Sequence, residues 1–154
     1  SEVELKEKKD RVDDALQATR AAIEEGVVEG GGIALLKCLP ALEQLSLLST
    51  GDEKDGIDVV ASALKSPLVQ ILKNGGIESG VVLRDIKLNG GGYDARTETY
   101  VDMFEAGIID PKKVTRTAIQ NAVSVVGMIL TTDCMIVDKK EDKSSQRQPQ
   151  IPMM

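Results

Sequence analysis

The sequence contains no histidine and no tryptophan, and its aromatic side chains are Tyr93, Tyr100 and Phe104 alone. A histidine general base is excluded, and so is the aromatic platform on which single-stranded nucleic acids stack. The core must be aliphatic, drawn from Leu, Ile, Val, Ala and Met. Basic charge is short as well: 19 Lys+Arg stand against 25 Asp+Glu, a net charge of −6. That balance disfavours nonspecific binding to nucleic-acid phosphates or anionic lipid, so neither nucleic acid nor membrane is an expected partner.

Only two cysteines occur, Cys38 and Cys134. They are far apart, with no histidine or nearby cysteine to complete a zinc site, so they read as buried free thiols in a reducing compartment. No apolar run approaches the ~20 residues that span a bilayer. The opening "SEVELKEKKD" is charged throughout and carries no targeting signal. A first residue other than Met leads us to expect a processed chain or an excised piece of a larger protein. With 154 residues, the chain is long enough for one domain with a real core.

What is present is mostly helical periodicity. Residues 4 to 28 read as one helix through Val12, Leu16, Thr19, Ile23 and Val27. The glycines Gly30–Gly32 interrupt it. A second pattern follows through Ile33, Leu36, Leu39, Leu42 and Leu45, with Pro40 predicting a kink or break. A third helix is predicted from Ile57 to Leu72, its inward face Ile57, Val60, Ala61, Leu64, Leu68 and Ile71, bent at Pro67 and stopped by Gly75. Ser79 is expected to cap a short helix through Ile86, and "LNGGGYDA" to form a loop. Thr97–Ala106 reads as a short helix ended by Gly107. The longest clean pattern runs from Pro111 to about Leu130, with Asp110 as its cap. "CMIVD" suggests a short strand, and residues 139–154 a tail that cannot order itself.

Three features could carry chemistry. Consecutive glycines before a helix, in "EGGGIALL", let backbone approach a phosphate or sugar closely. They match neither the dinucleotide fingerprint nor the P-loop, and by themselves favour a plain glycine break between packed helices. In "RVDDALQATR", Asp14 lies beside the apolar stripe, so partial burial is expected where most acidic pairs on a helix are solvated. The third feature is Asp94 in "GGYDAR" with Asp110 in "IIDPKK"; on local evidence Asp110 is a structural cap.

Taken together, "EKKDRVDDALQATRAAIEEGVVEGGGIALL", "GYDA", "GIIDPKKVTRTAIQNAVSV" and "LTTDCMIVD" resemble the C-terminal part of a group I chaperonin, the GroEL family of bacteria, mitochondria and plastids. The resemblance runs from residue 2 to about 138. It implies a mainly α fold. Residues 1–25 would be the returning helix of the intermediate domain, and 26–138 the C-terminal half of the equatorial ATP-binding domain, a helical bundle with a short strand. It also implies ATP/ADP, Mg²⁺ and K⁺ as cofactors, identical subunits in heptameric rings, a co-chaperonin lid and unfolded client proteins as partners.

Residue by residue, Gly31 matches the glycine whose backbone lies against the nucleotide. Asp94, Ala95 and Arg96 fall in the segment that contacts adenine. Asp110 matches the aspartate that binds the ribose hydroxyls; one of its oxygens could cap the helix while the other accepts from the sugar. Asp14 matches the catalytic carboxylate that positions the attacking water near the metal. Asp94 stands where bacterial members usually have Asn and mitochondrial ones often have Asp, which leans the location toward the mitochondrial matrix, with bacterial cytoplasm or plastid as alternatives. Arg96 replaces a smaller family residue, and the loop before Tyr93 is shorter than usual. Glu78 matches an acidic position used between rings, but Val69 stands at its basic counterpart.

The family's phosphate loop, Gly-Asp-Gly-Thr-Thr-Thr, does not occur in these residues, nor does a substrate-binding apical domain. No metal site is complete in this chain, though Asp14 would lie near one. The sequence thus implies half a nucleotide site, inactive by itself. The competing reading is a chaperonin-derived helical scaffold without catalysis, which would not need Asp14, Gly31 and Asp110 together. A separate metal- or nucleotide-dependent enzyme fails for want of a complete motif.

Overall fold

The computed structural model describes residues 1–138; the expected tail, 139–154, lies outside them. The chain divides into two compact units, Ser1–Ile119 and Gln120–Met154. The expected junction at residues 25/26 falls at the end of the first helix, within the first unit.

Helix α1 spans Glu2–Glu25 and opens with a capping box in which Ser1 Oγ accepts from the Glu4 amide at 3.3 Å. It stops three residues sooner than its periodicity predicts, because Gly26 turns with φ 82° and the β-branched pair Val27-Val28 enters a strand, β1 (Val27–Glu29). Helix α2 (Ile33–Leu36) and helix α3 (Leu39–Leu48) divide the second pattern. Pro40 sits in the first turn of α3, where its missing N–H costs no intrahelical bond, so the break forms just ahead of it.

The predicted single third helix is two, α4 (Asp52–Ala63) and α5 (Ser66–Asn74). Pro67 again takes a first turn. The restart shifts the phase, so Leu72 is buried where Ile71 was expected and Ile71 is 40% exposed. Gly75 does close α5. Helix α6 spans Ser79–Asn89, and its cap is Glu78, whose carboxylate accepts from the Gly80 amide; Ser79 is already inside the helix.

Two further expectations are corrected at once by a hairpin, β2 (Gly92–Asp94) with β3 (Thr99–Val101). Part of the expected loop is strand, and the helix predicted over Thr97–Ala106 does not form. Tyr93 and Tyr100 face each other across it, edge to face at 5.1 Å, a cross-strand contact that local helical propensity does not anticipate. Strand β4 (Ile109–Pro111) follows, and α7 runs over Lys112–Leu130. "CMIVD" is not a strand: it has no pairing partner among the described residues, and Met135 to Val137 are exposed. Cys38 and Cys134 are exposed rather than buried. Cys38 sits at the head of α3 with its thiol donating to the Ala34 carbonyl, on the turn between two helices rather than in their shared core.

The core lies in the first unit. Ile33, Leu68, Leu72, Val82, Ile86 and Met103 form one buried cluster, joining α2, α5 and α6 to the segment after β3. It is aliphatic, as the composition requires.

Candidate functional site

Strands β1 and β4 pair antiparallel, with Val28 opposite Asp110. The Gly30 amide extends the ladder by donating to the Ile108 carbonyl at 2.9 Å. Alternation sorts the two faces. Val27 and Ile109 are exposed, whereas Val28 and Asp110 are half-buried and share their face with Ile108, which packs on the core. Asp110 is therefore carried inward by strand geometry, on the strand that pairs with the one leading into the glycine run.

That placement overturns its reading as a helix cap. Asp110 lies within β4, one residue outside α7's first turn, and its carboxylate accepts no hydrogen bond from the helix amides among the described residues. A half-buried carboxylate without a hydrogen-bond partner among the described residues remains.

The glycines are explained by close backbone approach. A Cβ on Gly30 would stand 3.1 Å from the Ile108 carbonyl group, and one on Gly32 2.9 Å from the Leu68 amide nitrogen. Gly31 and Gly32 also take positive φ, 65° and 84°. The run is thus a turn from β1 into α2 rather than a spacer between two helices. The amides of Gly31 and Gly32 donate to no acceptor among the described residues.

Met103 links this turn to the hairpin. Its Cε lies 3.3 Å from where a Gly31 Cβ would be, and its Cγ and Sδ fill the place of a side chain on Gly92. The hairpin that carries Asp94, Ala95 and Arg96 is thereby rooted beside Gly31. Asp94 closes the hairpin turn: Oδ1 accepts from the Arg96 amide at 2.8 Å and Oδ2 from Thr97 Oγ1 at 2.9 Å. Those donors, the Arg96 amide first, hold its carboxyl below the usual aspartate value, while its partial burial opposes them. Glu98 adopts φ 56° at the tip, Ala95 is half-buried and Arg96 is exposed.

Asp14 is not brought to this site. It lies exposed on α1, against the partial burial expected for it, about three helical turns before Gly26. The C-terminal end of α1 is fastened to α7 by ion pairs that the sequence reading did not single out. Arg116 donates from Nε and Nη2 to the two oxygens of Glu25, at 3.1 and 2.6 Å, and Lys113 pairs with Glu24. The Arg116 hydrogen bonds pull the Glu25 pKa down, and Glu25 raises that of Arg116 in return. No sequence signal couples residues so distant along the chain. Met103 was also missed, being one methionine in a segment read as helix. Among the described residues no group of three or more metal-ligating side chains converges, and no helix is long and apolar enough to cross a membrane.

Residues 1–140 match the TCP-1/cpn60 chaperonin family. The chain belongs to that family. A solved relative, the open-state monomer of a group II chaperonin from Methanococcoides burtonii, superposes with a TM-score of 0.71 at 27% identity. The match covers 78% of this chain and 32% of the relative, so the chain spans about a third of that chaperonin's length. The mainly helical fold is that of a chaperonin equatorial-domain fragment. This relative is of group II, whereas the sequence blocks quoted above resemble group I.

Proposed function

We propose that this chain is the C-terminal portion of an ATP-dependent folding chaperonin of group I type, carrying the nucleoside half of its ATP site. The observation that carries the reading is Asp110: a half-buried carboxylate, unpartnered among the described residues, on the strand that pairs with the one leading into the Gly30–Gly32 turn, where the amides of Gly31 and Gly32 are open. An acceptor for sugar hydroxyls next to free backbone donors suits a nucleoside. In this reading Gly31 lies against the nucleotide, Asp110 accepts from the ribose, and Asp94, Ala95 and Arg96 border the adenine. Asp94 is held in place at that border by its own turn, with one hydrogen bond accepted at each oxygen.

Asp14 serves as the catalytic carboxylate. Phosphoryl transfer needs an oriented water and compensated charge more than a strong base. Mg²⁺ and K⁺ would supply the positive charge at the phosphates, and the residues here cannot hold them alone. In this reading Asp14 reaches the site when α1 swings. The working assembly is a heptameric ring of identical subunits with a co-chaperonin lid and unfolded clients, in the mitochondrial matrix.

The test is Mg-ATP turnover and solution mass of the purified 154-residue chain. Without a phosphate loop the triphosphate has no organised donors, and loss of even one such donor costs ~3 kcal/mol of transition-state stabilisation. Neither turnover nor a ring is expected. Turnover at the rate of an intact chaperonin, or a stable heptamer, would overturn the half-site reading.

A further inference from the structure

A cavity of about 460 Å³ opens on the first unit. Leu36, Leu39, Leu83 and Ile86 give it an apolar wall from α2, α3 and α6, all buried or half-buried. Around that wall stand Lys37, Lys65, Arg84 and Lys87, all exposed. A single carboxylate, Glu43, faces them. On a chain of net charge −6 this is a local reversal of sign.

The cations are not equally engaged. Lys37 pairs with Glu29 at 2.6 Å, and Lys87 with Glu43 at 3.1 Å, which ties α6 to α3 along the groove. Arg84 gives Asp85 two N–H groups, from Nε and Nη2, and keeps the rest of its five. Lys65 has no ion-pair partner among the described residues. An incoming anion would therefore meet Lys65 and the free edge of Arg84 without breaking an existing pair.

We propose that this groove binds a free acyl carboxylate, with its aliphatic chain along the leucine wall and its head at Lys65 and Arg84. Charge complementarity sets the sign of the head, since Lys65 has no ion-pair partner among the described residues and Arg84 keeps N–H groups beyond the two it gives Asp85. The body is aliphatic because no aromatic residue lines the groove to stack on a ring or base. The volume falls in the range of about 300–1,000 Å³ that takes small ligands, whereas a stable protein partner needs an interface of roughly 800 Å² on each side. This site is independent of the nucleotide reading and shares none of its residues.

The test is calorimetric titration of the 154-residue chain, below micelle-forming concentrations, with decanoate, decanol, decyltrimethylammonium and hexanoate. Decanoate is expected to bind one per chain and at least tenfold more tightly than decanol or decyltrimethylammonium. Hexanoate should bind far more weakly, at about fourfold per methylene lost from the groove. In Lys65→Glu/Arg84→Glu, decanoate affinity should fall at least tenfold while decanol binding is unchanged. Lys65→Gln/Arg84→Gln should give a smaller loss, and both variants should keep the circular dichroism of the parent because the altered residues are exposed. Equal affinity for all three decyl compounds, several molecules per chain, or unaltered decanoate binding in the charge-reversed variant would overturn the proposal. So would a dimer that these substitutions dissociate, since a second copy would then occupy the groove.

Discussion

Met103 occupies the space that a side chain at position 92 would need. A Cβ on Gly92 would lie 2.3 Å from both Cγ and Sδ of Met103, which is fully buried. The same methionine packs under Gly31 and against Ile33, so the hairpin, the glycine turn and the core meet on one flexible side chain. Gly92→Ala is expected to destabilise the chain by about 1–3 kcal/mol through overpacking, and Met103→Ala by about 2–5 kcal/mol through a cavity. Combined, the two should cost clearly less than their sum, because the smaller residue vacates the space the larger one contests. Denaturant midpoints of the two single variants and the double variant check this; strict additivity would mean that the residues do not share the site.

The Glu25–Arg116 pair gives stability a pH signature. Arg116's hydrogen bonds hold the Glu25 carboxyl below its ordinary value of 4.5, so the folded state binds its proton less readily than the unfolded chain. The resulting stability is present above the unfolded pKa and is lost as pH falls through the lower, folded one. Asp94 adds a contribution of the same sign, held down chiefly by the Arg96 amide. Glu25→Gln should therefore flatten the acid limb of the stability–pH curve below about pH 4.5 and leave the neutral-pH shape alone. Added salt should shrink the Glu25 effect, since both side chains reach solvent. Urea midpoints between pH 3 and 7 provide the measurement, and an unaltered acid limb in Glu25→Gln would remove the pair from the account.

Asp14 is exposed on α1 and far from the glycine turn, so its substitution separates catalysis from folding. In a full-length chaperonin carrying this sequence, Asp14→Ala should slow ATP turnover by orders of magnitude. Nucleotide affinity and thermal unfolding should stay close to the parent's. A loss of affinity equal to the loss of turnover would make Asp14 a binding residue instead.

How much of this was legible in the residues follows the range of the forces involved. The long pattern of α7 and the punctuation at Pro40 and Gly75 are local signals, and they located real helix ends, whereas Pro67, read as a bend, lies in the first turn of a separate helix. The strands were not legible. Each has three residues, too few to show a period, and each exists because a distant segment supplies its partner. Val27-Val28 continued a helical stripe on paper, yet pairing with Ile109–Pro111 outweighs that local preference. The same pairing moved Asp110 from a helix cap to an inward strand position. Gly31 and Asp110 were singled out by resemblance, but the ladder that joins the segment before Gly31 to the strand of Asp110 was not. Glu25–Arg116 and the Gly92–Met103 contact left no sequence trace, since neither depends on spacing along the chain.

Asp110 carries the central claim, and one substitution addresses it most directly. A capping aspartate would be worth ~1 kcal/mol of stability and would be replaced well by Asn; a ribose acceptor would be felt in nucleotide affinity instead. The decisive measurement is the dissociation constant for ADP of a full-length chaperonin carrying this sequence, as wild type and as Asp110→Asn, with thermal unfolding recorded without nucleotide. The account predicts about tenfold or greater weakening, the scale of a lost hydrogen bond to a charged group, with the unfolding temperature unchanged. Equal ADP affinity in the two proteins would contradict it.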